Sequence, residues 1–268
     1  MSVSQQKYRA NRDDLLDSIT GTLSNDERFV AAWLTGSLGR GDADSFSDLD
    51  LTLVVSDAYS QSLCRRAEQV SPQTTDERLA LFSQFGQPAV IHENNHNAPA
   101  GGTFTFILYA HTALMVDWIL VPFASASRPA GARMLFAKTE IPLRPPVESE
   151  SLEQRVVKAA EIVAFFWMMM AVTVKYIHRR DGVFVTRWTE ELHGMLREVE
   201  RLLAGAAWQY QRGSLGDLEP DSTGQARALL RLGERMQQLL PQLTAMGGQV
   251  LPSPLPEIRI LLDLGQEE

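Results

Sequence analysis

The chain has 268 residues, 44% hydrophobic and 22% charged, a balance that excludes the disordered and fibrous classes and suits one large domain or two modest ones. A formal net charge of −8 and a pI near 5.2 exclude a surface built mainly to hold a nucleic-acid backbone, so no nucleic-acid partner is expected. A single cysteine, Cys64, excludes an intramolecular disulfide, and residues 1–16 lack the apolar core of a signal peptide, which makes a cytoplasmic protein the expectation.

In chain order, Leu15, Leu16, Ile19 and Leu23 recur at helical spacing behind the polar opening Asn11-Arg12-Asp13-Asp14 and predict an amphipathic helix. Phe29 to Thr35 and Asp50 to Val55 are short apolar runs bounded by polar or glycine residues and predict strands. Helical pattern is expected between Ser56 and Phe85. Further strands are expected at Ala89 to His92, Thr103 to Leu108 and Leu114 to Val121. Pro142, Pro145 and Pro146, followed by Glu148 and Glu150, form a rigid polar stretch that divides the chain into residues 1–146 and 147–268.

Beyond that boundary the apolar residues follow the 3.6 period. Trp188, Leu192, Met195, Leu196, Val199, Leu202 and Leu203 form one stripe, and Leu229, Leu230, Leu232, Met236, Leu239 and Leu240 mark another. Gly213 to Gly224 reads as a turn-rich break, and Leu251 to Leu264 as a last short helix. The most apolar stretch, Ile162 to Val174, spans 13 residues, short of the roughly 20 that a membrane crossing needs, so it is expected to be a buried helix, with no membrane partner. The predicted class is α+β or α/β: a mixed β-sheet flanked by helices, then a helical bundle.

The unusual segment lies between the first two strands: Gly36-Ser37-Leu38-Gly39-Arg40-Gly41, an Asp-rich stretch, then Asp48-Leu49-Asp50. A Gly-Ser pair where a strand turns into a helix presents backbone amides, a hydroxyl and a favourable dipole to a phosphate. Asp48 and Asp50, one residue apart at the start of a strand, project to the same face. Paired carboxylates beside a phosphate turn suit Mg²⁺, which takes oxygen ligands and is commonly shared with substrate phosphates. Asp117, in the middle of the apolar strand Leu114 to Val121, is a charge that needs a partner or a metal. Asp42 and Asp44 read as turn formers instead.

At these residues the sequence resembles the nucleotidyltransferase superfamily of the DNA polymerase β type, whose pattern is Gly-Ser, about ten residues, Asp-x-Asp, and a later third carboxylate. A catalytic domain followed by a helical domain of this size resembles, within that superfamily, the antibiotic nucleotidyltransferases that act on lincosamides and aminoglycosides. The run from Phe166 through Lys175, Tyr176, Arg179, Arg180 and Asp181 is similar to the opening of their second domain. The resemblance implies that Gly36 and Ser37 hold a nucleoside triphosphate, that Asp48 and Asp50 bind Mg²⁺, and that Asp117 is the third carboxylate, as metal ligand, general base or both. It further implies residues 1–146 as the catalytic domain and 147–268 as an acceptor-binding and dimerisation domain. The implied partner is a small-molecule hydroxyl acceptor, and a homodimer is the implied assembly. Lys175 is a candidate for the triphosphate, Glu190 and Glu191 for a cationic acceptor, and Glu93 for an alternative base.

Two competing readings accompany this one. His92-Glu93-Asn94-Asn95-His96 matches the H-E-x-x-H zinc-peptidase pattern, although that pattern needs a helix and Pro88, Pro99 and Gly101-Gly102 crowd it. A protein of the same fold that modifies a protein partner, or that regulates by binding nucleotide, is the other. Gly213-Ser214-Leu215-Gly216 repeats the earlier tetrapeptide but precedes no Asp-x-Asp and reads as a loop.

Overall fold

A computed structural model describes residues 5–65, 74–94, 96–146, 150–207 and 221–264. The chain divides into two compact units, Met1–Pro146 and Val147–Glu268. The first is built on a six-stranded mixed sheet. Its strands are β1 (Phe29–Leu34), β2 (Leu49–Val55), β3 (Pro88–Asn94), β4 (Thr103–Tyr109), β5 (Met115–Pro122) and β6 (Arg133–Ala137), in the spatial order β3-β4-β5-β2-β1-β6. β2 and β5 run parallel; every other neighbouring pair is antiparallel.

The helices of this unit are α1 (Gln5–Ser24), α2 (Gly36–Arg40), α3 (Ser60–Leu63) and α4 (Asp76–Ser83). Strand alternation explains which sheet face they cover. Leu49, Leu51 and Leu53 of β2 and Val116, Trp118 and Leu120 of β5 share one buried cluster with Leu16, Ile19 and Leu23 of α1 and Leu81 and Phe82 of α4. Trp118 is fully buried there, its ring 5.0 Å from that of Phe82 and 5.6 Å from that of Phe85. The intervening residues of β2 and β5 must then face the other way. At the far ends of these strands Val54 and Val121 join Ala31, Trp33, Ala126 and Ile141 in a smaller core on that second face. At the near ends, the second face carries Asp50 and Asp117.

The structure differs from the sequence expectation at two elements here. Strand β6 was not anticipated, because it pairs on one side only and its residues, exposed or half-buried throughout, lack the alternation of a covered strand. Helix α1 starts at Gln5, well before the polar opening at Asn11. Its first turns are tied down by hydrogen bonds from Tyr8 and Arg12, which an apolar periodicity does not register.

The second unit is helical: α5 (Leu152–His178), α6 (Gly182–Ala204), α7 (Ser222–Ala245) and α8 (Leu255–Asp263). A capping box starts α5, with Ser151 accepting from the Gln154 amide and the Gln154 side chain accepting from the Ser151 amide. Asp181 and Asp221 cap α6 and α7 in the same sense. By length and composition α5 is apolar enough to cross a membrane. Val163, Phe166, Met170, Val174 and Ile177 are instead buried in this unit's core against Leu192, Leu196, Leu229 and Met236. Of the expected break, Gly213-Ser214-Leu215-Gly216 lies outside the described residues, while Gly224 lies inside α7.

Candidate active site

The parallel pairing of β2 with β5 sets Asp50 directly opposite Asp117. Because Leu49, Leu51, Val116 and Trp118 are committed to the buried face, both carboxylates are driven to the opposite one. Asp48 immediately precedes β2 and returns to the same face after one intervening residue. The result is a half-buried cluster in which one carboxylate oxygen from each of Asp48, Asp50 and Asp117 lies within 4.8 Å of the others.

Gly36 closes one wall of this cluster. Its φ of +56° favours glycine, and a Cβ placed on it would stand 1.8 Å from Oδ2 of Asp50. The next amide upstream, that of Thr35, donates to the Asp50 carbonyl at 2.9 Å, so the turn and β2 are joined at this point. Gly39 lies so close to β1 that a Cβ there would meet the Leu34 carbonyl oxygen at 2.6 Å. Gly41 ends α2 in the left-handed conformation, its amide donating to the Ser37 carbonyl. Ser37 itself is buried at the second position of α2. The expected helix dipole is reduced to little more than one turn, since α2 has only five residues. What the turn offers an anion is chiefly the amides of a helix start, which have no acceptor within the helix.

Three carboxylates this close repel one another, and burial sharpens the effect. Burial pushes the Asp117 carboxyl up to about 7, with the charges of Asp50 and then Asp48 adding to it. Asp50 is pushed up to about 6, by burial first and the charge of Asp48 second, while Arg40 acts in the opposite sense. A bound cation removes this penalty, and an all-oxygen donor set is the set that a hard divalent ion prefers. The three close acidic residues can therefore hold a metal ion.

Asp42 and Asp44 have structural work. Asp42 pairs with Arg40 at 3.3 Å, and Oδ1 of Asp44 accepts from the Phe46 amide and the Ser47 hydroxyl. Glu93 is a correction to the sequence expectation. It pairs in register with Thr105 of β4, which pairs in turn with Trp118, so it lies on the buried helix face, opposite to Asp117. There it receives Nη2 of the fully buried Arg78 at 2.8 Å on both oxygens, with Nε adding a third contact. It is not available as a base at the cluster. The zinc-peptidase reading fails with it: His92, Glu93 and Asn94 are part of strand β3, so the helical spacing the motif requires is missing. Lys175 stands on α5 in the other unit, exposed, with its ammonium 5.6 Å from the Tyr176 ring centre. Glu190 and Glu191 are exposed on α6. Arg12 and Tyr8 of α1, which donate to backbone carbonyls of the segments leading into β2 and β5, carried no sequence signal: a buried arginine in a helix reads as surface until its acceptors are seen.

No protein-family model and no curated protein matches the chain. Among solved structures it is similar to the crystal structure of an aminoglycoside 6-adenyltransferase from Bacillus subtilis, at 12% identity over the whole of both chains and a TM-score of 0.30. Function is therefore read from the site's own chemistry.

Two outcomes are expected. Glu93→Ala leaves the Arg78 guanidinium buried without its counter-charge and is expected to lower stability by about 3–5 kcal/mol in chemical denaturation; unchanged stability would contradict this role. The second concerns the cluster without metal. Asp50 and Asp117 hold protons more tightly in the folded chain than at their ordinary value of 3.8, so the folded state binds more protons between about pH 4 and 7, and stability falls as pH rises through that window. In chelator-treated protein the thermal midpoint is expected to drop from about pH 5 to about pH 8, and Asp117→Asn is expected to flatten that dependence and raise the pH 8 midpoint by a few degrees.

Proposed function

We propose that this chain is a magnesium-dependent nucleotidyltransferase that moves a nucleoside monophosphate from a nucleoside triphosphate to a hydroxyl of a small molecule, releasing pyrophosphate. The observation that carries the reading is the carboxylate cluster of Asp48, Asp50 and Asp117, held against the glycine turn at Gly36-Ser37. Phosphoryl-type transfer asks a protein mainly for positioning and charge stabilisation, and a metal-binding carboxylate set beside a phosphate turn answers both needs.

In this reading Asp48, Asp50 and Asp117 hold Mg²⁺, which when bound neutralises charge on the triphosphate and on the leaving group. Gly36 and Ser37 hold the triphosphate through backbone amides and the serine hydroxyl. Asp117 accepts the proton of the acceptor hydroxyl as its oxygen bonds to the α-phosphorus and the bond to pyrophosphate breaks. Lys175 is the further candidate for the triphosphate that the resemblance implies. The acceptor is an antibiotic of the lincosamide or aminoglycoside kind, bound by the helical unit of a cytoplasmic homodimer; the resemblance in domain order and at the opening of the second unit, not the catalytic motif, supports this part.

Purified protein with Mg²⁺, each of the four ribonucleoside triphosphates and a panel of lincosamides and aminoglycosides is expected to release pyrophosphate only with an acceptor. The Asp48→Ala, Asp50→Ala double variant is expected to fall to background. Transfer of labelled nucleotide to protein alone would overturn the antibiotic assignment, and release unaffected by the double variant would overturn the site.

A further inference from the structure

Asp50 and Asp117 are located by the ladder between β2 and β5, but Asp48 precedes the first residue of β2 and has no ladder to hold it. Its position depends on the loop that leads into it. That loop is clamped from α1. The guanidinium of Arg12, only 3% exposed, donates through Nη1 to the carbonyls of Asp44 at 2.9 Å and Ser47 at 3.1 Å, and Ser47 is the residue directly before Asp48. The other side of the guanidinium donates to Oδ1 of Asp13 at 3.2 and 3.1 Å through Nε and Nη2. Within the loop, Asp44 closes on Phe46 and Ser47, so the two carbonyls that Arg12 holds belong to one small preformed turn.

Tyr8 is one helical turn before Arg12 and so shares its face of α1. Its hydroxyl donates to the Ala113 carbonyl at 3.2 Å, at the turn that enters β5, four residues before Asp117. The same face of one helix thus touches the approach to each carboxylate-bearing strand. Arg12 lies four residues ahead of Leu16 and continues the buried stripe of Leu16, Ile19 and Leu23, where an aliphatic side chain would pack without the cost of desolvating a charge. Fixing Asp48 accounts for a guanidinium there.

We infer that Arg12 is a positioning residue for the carboxylate cluster: by holding the Asp44 and Ser47 carbonyls it sets Asp48 against Asp50 and Asp117, with Tyr8 holding the matching approach to Asp117. The inference rests on the cluster being a metal site and adds the device that assembles it. Outer partners that orient metal ligands affect affinity without touching the ion, typically by about 10–100-fold.

The test is a titration with Mn²⁺, read by electron paramagnetic resonance, on wild type, Asp48→Asn, Arg12→Met and Arg12→Lys, with circular dichroism and thermal unfolding recorded on each. Arg12→Met is expected to remain folded and to bind Mn²⁺ about tenfold more weakly, within the range for such partners. Free guanidinium, far below unfolding concentrations, is expected to restore part of the affinity, and Arg12→Lys to fall between the two. Rescue by guanidinium separates positioning from general destabilisation, which added guanidinium only worsens. If Arg12→Met does not fold, the Arg12→Lys titration decides the matter, with wild-type affinity counting against the inference. Folded Arg12→Met with wild-type Mn²⁺ affinity, while Asp48→Asn loses it, would overturn the inference alone. Equal binding by wild type and Asp48→Asn would overturn the metal reading on which it rests.

Discussion

Strands β2 and β5 lie side by side and parallel, in a register that sets Asp50 against Asp117, and most of what is unusual about the first unit follows from that pairing. Two apolar strands with one face committed to a helix-covered core have no freedom to turn their acidic residues away from each other. A slip of β5 by one residue would turn Asp117 into the layer beside Phe82 and expose Trp118, so the register is held by the whole hydrophobic layer. The core thereby enforces an electrostatic conflict that water alone does not relieve, since burial is the first cause of the raised proton affinity of both groups.

Around that conflict the local sequence is built to leave room. Gly36 is the one residue type that can sit where a Cβ would collide with Asp50 and also take a positive φ. Gly39 allows α2 to lie directly on the end of β1. Raised proton affinity at Asp50 and Asp117 is the pattern expected where function and stability compete, and a bound cation would offset it. Arg78 and Glu93 form the counterpart on the helix face. There a buried charge pair is satisfied on its own terms, with Arg78 also donating to the Leu63 and Arg65 carbonyls and tying the region after α3 to the sheet.

Much of this was legible in the sequence, for physical reasons that differ by element. Strands β2, β4 and β5 announced themselves because a covered strand must be apolar over a short bounded run. Asp117 announced itself because an aspartate in such a run conflicts with its surroundings, and Asp48 and Asp50 through their Asp-x-Asp spacing behind the Gly-Ser turn. The second unit was legible from the 3.6 period of α6 and α7: Leu192, Leu196, Val199, Leu202 and Leu203 and Leu229, Leu232, Met236 and Leu240 are buried, while Trp188, Met195, Leu230 and Leu239 flank them, only partly buried. Edge strand β6 escaped because pairing on one side leaves little burial pattern. Glu93 was misread because its face depends on which residue of β4 it opposes, a fact of pairing and not of spacing. Arg12 escaped for a related reason: its acceptors are backbone carbonyls more than thirty positions away, and a carbonyl has no signature in a sequence.

In the function proposed above, Asp48, Asp50 and Asp117 form one divalent-metal site beside a triphosphate held at Gly36-Ser37. A crystal grown with Mn²⁺ and a non-hydrolysable nucleoside triphosphate tests it most directly, through the anomalous signal of the metal. The expected result is a Mn²⁺ peak in contact with carboxylate oxygens of all three aspartates and with a phosphate oxygen of the nucleotide. A peak elsewhere in the chain, with these three carboxylates left without metal, would contradict it.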